Sequence, residues 1–143
     1  MAEVAYNSGK LAAVQGRLNA GSTVLRAVVI TGTKTGASDP DLATMAAIDA
    51  VTGVGLGTER VSIASVTAAA DNANDRVNIG AATFNFAAAA GVTALALVIY
   101  DATTDTNDTT RIPVGFFDTN FGSGIPMDGG LQVTVPTQLF RVT

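Results

Sequence analysis

The chain has 143 residues, a length that suits one domain able to bury roughly 70% of the surface that its unfolded chain would expose. Hydrophobic residues make up 48% and charged residues only 14%, the net charge is −4, and eight singly spread lysines and arginines argue against nucleic-acid binding. Histidine, cysteine and tryptophan are absent, which removes imidazole bases, thiol nucleophiles, disulfides and most transition-metal sites.

The N-terminal segment carries an acid, Glu3, where a secretory signal would carry a base. The most apolar stretch, residues 84–100, is interrupted by Asn85, Gly91 and Thr93, so its apolar parts are too short to span a bilayer. We therefore expect neither a signal peptide nor a membrane partner.

The first element is predicted to be an amphipathic helix over residues 4–19. Four apolar residues recur there at helical spacing, and Gly9 and Gly16 weaken the helix. The apolar residues are Val4, Leu11, Val14 and Leu18. We divide the single predicted domain, 1–143, into an N-terminal arm and helix, 1–20, and a β domain, 21–143.

Residues 23–32 are rich in β-branched side chains, which predicts a strand covered on both faces. Ser38 or Asp39, just before Pro40, is expected to cap a short helix over residues 41–50. Residues 52–59 form a glycine-rich loop.

Later segments alternate apolar and polar residues with a period of two, which is typical of half-buried antiparallel strands. Pro113 predicts an edge or a bulge in one of them. Residues 92–100 are apolar on both faces and should form the central strand, and residues 138–142 a last short one. The alternating apolar positions are Val61 and Ile63; Val77 and Ile79; Phe84 and Phe86; Ile112, Val114 and Phe116; and Leu131, Val133 and Val135. The predicted fold is mainly β, an antiparallel sandwich or compact barrel of about seven or eight strands with one N-terminal helix and a short second helix.

A polar loop follows the central strand and contains Asp101, Asp105, Asn107 and Asp108. Spaced oxygen ligands of this kind are compatible with Ca²⁺, but the EF-hand spacing and its distant glutamate are missing. The favoured interpretation is a soluble hairpin connection, so we assign no metal site.

Three other candidate sites lack the residues that their chemistry requires. Gly53–Gly57 is followed by a strand and has no Walker lysine, which argues against a phosphate loop. The acids lie mostly in loops and none interrupts an apolar strand, and the only glutamates are Glu3 and Glu59. Neither Lys10 nor Lys34 is placed to activate a hydroxyl. The sequence therefore predicts no catalytic residue, no cofactor and no enzyme.

An aromatic cluster leaves two interpretations open. Strand alternation places Phe116 in the core and Phe117 on the opposite face, near Phe121. Phe117 then either forms an interface patch with Ile125 and Met127 or is covered by its own 119–130 loop.

The order of these strand and loop segments along the chain resembles that in a group of small virion proteins of tailed bacteriophages. In that group a phrase like "TF.A..G..VEALVIY" precedes a short loop, then "S.LIAYIDT..GLP.TPNGGDITV.W" and a final "IF.L". The N-terminal half is similar in layout, through Tyr6, Ser8–Lys10 and the strands "TVLRAVVITG" and "ERVSIASVT". The chain departs from the group at Pro136, near the family's tryptophan, and at Met127–Asp128. The matching positions are Thr83–Phe84, Gly91, Ala94–Tyr100, Phe117–Thr119, Gly124–Pro126, Gly129–Gly130, Gln132–Val135 and Leu139–Arg141.

The resemblance implies a structural protein of the virion, and its shared motifs are strands and turns. The first hypothesis is a capsid decoration (cement) protein, a homotrimer that binds the major capsid protein on the outside of the head. Either the N-terminal helix or the arm that leads into it, residues 1–7, is the expected clamp, and deletion of residues 1–8 is expected to abolish attachment while leaving the domain folded. The alternatives are a tail, neck or head-fibre component and a Ca²⁺-dependent carbohydrate-binding module. The last would need an exposed aromatic platform, and both tyrosines, Tyr6 and Tyr100, have structural places.

Overall fold

The computed structural model describes residues 3–18, 23–63, 68–71, 76–79, 82–104 and 106–135. Within these ranges the chain forms two helices and antiparallel strands, which confirms the predicted mainly β fold. The predicted final strand at 138–142 lies outside the described residues. The elements are β1 (Glu3–Ala5), α1 (Asn7–Val14), β2 (Leu25–Ile30), α2 (Met45–Val51), β3 (Val61–Ile63), β4 (Ala68–Asp71), β5 (Arg76–Ile79), β6 (Ala82–Phe86), β7 (Thr93–Ala94), β8 (Ala96–Asp101), β9 (Pro113–Phe117), β10 (Ile125–Pro126) and β11 (Leu131–Val135).

A five-stranded sheet with the order β1-β9-β8-β2-β3 organises the fold. The central strand β8 is buried at all six positions, and β2 is buried at every position except Arg26. Both predictions, of a central strand within 92–100 and of a two-face-covered strand within 23–32, are confirmed. Such continuous apolar runs are needed because both faces of the sheet are covered.

One face of this sheet packs against a second β layer. That layer consists of two-stranded ribbons, β6 with β11 and β7 with β10. Phe84 and Phe86 from β6 join Leu97 and Ile99 from β8 in one core cluster. The arrangement is thus a sandwich in which short ribbons take the place of a continuous second sheet.

The other face is covered by α2 and the segment before it. Met45 and Ile48 from α2 pack with Val28, Val98 and other buried residues of the sheet. Because this helix presents apolar residues three apart to the sheet, it closes the second core with less than two turns.

The N-terminal helix is shorter than predicted, and its buried face is a different one. The helix covers Asn7–Val14. Leu11 and Val14 lie on its outer side, where they are 56% and 72% exposed. The buried residues of the helix are Gly9 and Ala12. The prediction of 4–19 with Leu11 and Val14 inward was therefore wrong, because the side with small residues can approach the sheet most closely.

The predicted detachable arm also conflicts with the described part of the N terminus. Residues 3–5 form β1, which pairs with β9 from Glu3↔Phe117 to Ala5↔Gly115. Tyr6 is fully buried, and its hydroxyl donates a hydrogen bond to the carbonyl oxygen of Ala37. Residues 3–8 are therefore part of the folded unit.

Two local predictions have different outcomes. The second helix begins at Met45 after Thr44, whose hydroxyl accepts a hydrogen bond from Ala47 N at 3.2 Å. The prediction of a cap at Ser38 or Asp39 was wrong. Of the two alternatives predicted at Pro113, an edge or a bulge, the edge was wrong because β9 lies between β1 and β8. The bulge is confirmed by the shift in the β8–β9 register, since Ile99 pairs with Gly115 and Tyr100 with Pro113.

We expect Gly9→Ala to destabilise the protein although alanine is the better helix former. A Cβ at Gly9 would lie 2.9 Å from Val114 Cα and 3.0 Å from the carbonyl oxygen of Pro113, both in backbone that cannot move freely. Overpacking of this kind should lower the free energy of unfolding by about 1–3 kcal/mol. The measurement is urea unfolding, with Gly129→Ala as the control because a Cβ there meets nothing within 4 Å. A stabilised Gly9→Ala would contradict this packing.

Tyr6→Phe should remove a stabilising term that depends on pH. Burial, and secondly the negative charge of Asp39, raise the pKa of the Tyr6 hydroxyl well above its ordinary value of 10.0. The raised pKa means that the contribution of Tyr6 is complete below pH 10 and falls as the pH rises above it. We expect a loss of about 1–3 kcal/mol at pH 7, because the Ala37 carbonyl loses its partner, and a smaller loss above pH 10. Parallel pH profiles of unfolding for the two proteins would refute this.

Candidate functional site

The polar loop after β8 uses its side chains to build the loop. Asp101 is 5% exposed, and its carboxylate accepts hydrogen bonds from Thr103 N at 2.9 Å and from Thr103 Oγ1 at 2.6 Å. Asn107 Oδ1 accepts from Thr109 N at 3.0 Å. Asp105 lies outside the described residues. These contacts are those of turn-forming residues.

Asp108 is the centre of a charged cluster. Its two oxygens accept from Arg60 Nη2 at 2.8 Å and from Arg111 Nη1 at 2.9 Å. The two guanidinium carbons lie 5.4 and 5.3 Å from the ring centroid of Tyr100, within the range of cation–π contact. The Asp108 carbonyl also accepts from Ala46 N in α2. The cluster therefore joins the start of β3, the 102–112 loop and the second helix, and sequence patterning gave no sign of it.

The described acids of the loop, Asp101 and Asp108, do not share a site. Asp101 and Asp108 have separate sets of protein partners. Among the described residues there is no group of three or more histidine, cysteine, aspartate or glutamate side chains that could hold a metal ion. The hairpin interpretation of this loop agrees with the contacts that its described residues make.

The glycine loop has its amide groups already in use. The five amides from Gly53 to Gly57 donate, in order, to Ala50 O, Asp49 O, Thr52 Oγ1, Asp49 Oδ1 and Val29 O. A phosphate-binding loop instead points free amides at its ligand. The structure thus gives a direct reason to set aside the phosphate interpretation.

In the described strands no acid interrupts an apolar run, as predicted, but two acids are buried where strands end. Asp101 ends β8, and Asp118 follows β9 and is 8% exposed. Asp118 Oδ2 lies 3.1 Å from Lys34 Nζ in an ion pair. The carboxylate of Glu59 accepts a hydrogen bond from Ala87 N at 2.8 Å. Each of these carboxylates therefore has a protein partner of its own.

The question left open about the aromatic cluster is answered by burial. Phe117, Phe121 and Met127 are 5%, 4% and 2% exposed and belong to the core between the β layers. Phe116 lies in the core on the other face of the sheet. Phe117 is therefore covered, and the interpretation as an interface patch was wrong.

A small cleft opens beside the end of β2. Its volume is about 190 Å³, and its walls are mainly apolar, with Val29, Leu56, Val92 and Met127 among them. Small-molecule sites usually have about 300–1,000 Å³. Among the described residues of the wall the one carboxylate is that of Glu59, which already accepts a hydrogen bond from the Ala87 amide. The cleft has room for little more than one side chain.

The exposed large apolar residues mark a better candidate, a contact surface. Leu11 and Val14 lie three residues apart on α1 and are the outward face of that helix. Val51 and Val54, at the end of α2, are 38% and 81% exposed. We call Leu11 and Val14 the α1 pair. The sequence did not predict this pair, because the large apolar residues of the helix were expected to be its buried side, whereas Gly9 and Ala12 are buried instead.

Val54 is exposed and also conformationally unusual. Its φ is 59°, in the left-handed region that a β-branched residue rarely adopts, and it follows Gly53 with φ 68°. The turn is fixed because Gly55 lies so close to Gly32 that a Cβ on Gly55 would be 2.7 Å from the Gly32 Cα. An exposed valine is thus held where glycine would fit with less strain.

Val54→Gly should therefore raise the free energy of unfolding by about 1 kcal/mol, the relieved strain less the entropy cost of glycine. Thermal and urea unfolding measure this. Val54→Ala is the matched control, since it keeps the Cβ and removes only the branching, and should fall between the two. A destabilised glycine variant would mean that the turn stores no strain.

Across the part of the chain that the structure describes, no helix is long and apolar enough to span a bilayer. None of the family models, curated proteins or solved structures with which the chain was compared matches it.

Proposed function

We propose that this protein is a structural component of a tailed-bacteriophage virion, a capsid decoration protein that binds the outer face of the head as a homotrimer. The observation that carries the proposal is the α1 pair, an apolar contact surface on a helix fixed rigidly to the sheet. Gly9 lets α1 lie directly on the β9 backbone, so Leu11 and Val14 are presented without a mobile arm. A preorganised contact costs less entropy on binding than a disordered one.

The composition supports the same proposal. A chain with 14% charged residues has few charges with which to keep itself apart from other copies. Its resemblance to virion proteins lies in strand and turn segments, and one of these segments, Ala96–Tyr100, forms part of the buried core. A shell protein gains its strength from many repeated weak contacts, so it needs geometry and does not need a reaction centre.

We assign the α1 pair to the contact between copies. A stable interface buries about 1,200–2,000 Å² in total, so two side chains supply the centre of the contact and not its whole area. In a cyclic trimer each copy would repeat the same contact. Residues 3–8 belong to the fold, so the attachment role expected of a free arm passes to other exposed segments.

We expect Leu11→Ser combined with Val14→Ser to convert the trimer into monomers. Light scattering and sedimentation equilibrium should give three times the 14.4 kDa chain mass for the wild-type protein and one chain mass for the variant. Circular dichroism should be unchanged, because both side chains are mostly exposed. Val51→Ser is the control for loss of an exposed valine elsewhere. A wild-type protein that is monomeric at all concentrations would contradict the trimer.

The place in the virion has a separate test. Antibodies against the purified protein, bound to gold, should label the heads of particles of the phage that encodes it. Heads stripped of the protein should recover the label when the wild-type trimer is added back and should recover less with the double variant. Label confined to tails would refute the decoration role and would favour the tail, neck or fibre alternative.

A further inference from the structure

The cluster around Asp108 contains two buried polar atoms with no hydrogen-bond partner among the described residues. They are Arg60 Nη1 and the hydroxyl oxygen of Tyr100. The tyrosine is fully buried, and the guanidinium of Arg60 lies over its ring. A buried donor without an acceptor costs about 1–3 kcal/mol, and more when the donor is charged. Two such donors in contacting side chains therefore point to an acceptor that occupies this place in the functional state.

The charges of the cluster specify what kind of acceptor it is. Two guanidinium groups, those of Arg60 and Arg111, share Asp108 as an ion-pair partner, and their side chains are only 21% and 15% exposed. Arg26 adds a further cation, because it pairs with Tyr100 across the β2–β8 register and donates from Nε to Ser62 Oγ at 2.9 Å. Buried positive charge is normally compensated by an anion. The chain is acidic overall, so this positive cluster is not an average property of its surface.

We propose that Arg60, Arg111 and Tyr100 form a binding site for a carboxylate, either free in solution or carried by an acidic side chain of another protein. Arg60 uses Nη2 for Asp108 and keeps Nη1 as a donor, while the Tyr100 hydroxyl supplies a second, neutral donor. A carboxylate has two oxygens and can accept from both. The site is independent of the proposed place in a virion.

Entry of the carboxylate requires side chains to move. Both orphan atoms are covered in this structure. The side chains above them reach the surface, since Asp108 is 29% exposed and Arg60 is 21% exposed. Rotation of Asp108 away from Arg60 would open the site, and Asp108 keeps its second partner, Arg111, during that movement.

The test is thermal unfolding of the full chain during titration with sodium acetate, at constant ionic strength maintained with sodium chloride. A ligand that binds only the folded protein raises the melting temperature in a saturable way. We expect this rise for the wild-type protein and for Lys10→Gln, which removes a positive charge on α1. We expect none for Arg60→Gln, which removes the charged donor.

Tyr100→Phe gives a second measurement that does not depend on the folding of the arginine variant. It should bind acetate about tenfold more weakly, the effect of one lost hydrogen bond in a buried site. Hexaglutamate and hexaglutamine peptides separate the two sources of the carboxylate. A stronger response to hexaglutamate than to acetate identifies a protein side chain, and a response to acetate alone identifies a free anion.

Several results would overturn the proposal. One is a wild-type protein that shows no saturable response to acetate or to hexaglutamate. Another is an equal response in wild type, Arg60→Gln and Tyr100→Phe. A crystal structure with a water molecule between Arg60 Nη1 and the Tyr100 hydroxyl, together with no acetate response, would assign the two donors to a structural water.

Discussion

The pairing of β2 with β8 is the constraint on which the rest of the structure depends. The two strands are in register from Leu25↔Asp101 to Ile30↔Ala96, and side chains on both of their faces are buried. Antiparallel sheets usually leave one face in water, but here neither face is free. A charged side chain within these strands would be buried without water. Asp101 lies at the end of β8, where its carboxylate accepts two hydrogen bonds from Thr103. This double burial accounts for the scarcity of charge in β2 and β8, whose charged residues are Arg26 and Asp101.

The elements that cover the sheet lie so close to it that backbone contacts backbone at several glycines. Gly9 brings α1 onto the Val114 backbone, and Gly32 and Gly55 bring the glycine loop onto the end of β2. Each close approach turns larger side chains outward, Leu11 on α1 and Val54 on the loop. The exposed apolar residues are therefore a consequence of how the cover is built. A fold of this kind presents contact residues at fixed positions without an exposed sheet face.

The sequence predicted what depends on local alternation. The strands around Phe84 and Leu131 followed from period-two patterns, the central strand around Ile99 from its continuous apolar run, and the irregularity at Pro113 from the missing amide of proline. The sequence did not predict which side of α1 packs against the sheet, because that depends on how closely the two backbones can approach. Small residues, Gly9 among them, form the packed side of α1, and no apolar-spacing rule selects them over Leu11.

The same limit explains why the charged cluster was not foreseen. Arg60 and Asp108 are 48 positions apart in the sequence, and only the β2–β3 and β8–β9 pairings bring them to the same end of the sheet. The sequence grouped Asp108 with the other polar residues of its loop, whose oxygens could serve as metal ligands. In the fold it faces two arginines beside Tyr100, and Arg60 Nη1 and the Tyr100 hydroxyl have no hydrogen-bond partner among the described residues. Loop spacing cannot predict such atoms, because they belong to residues that the chain supplies from separate strands. The chemistry of this chain is therefore to be sought where its strands end and not within its most acidic segment.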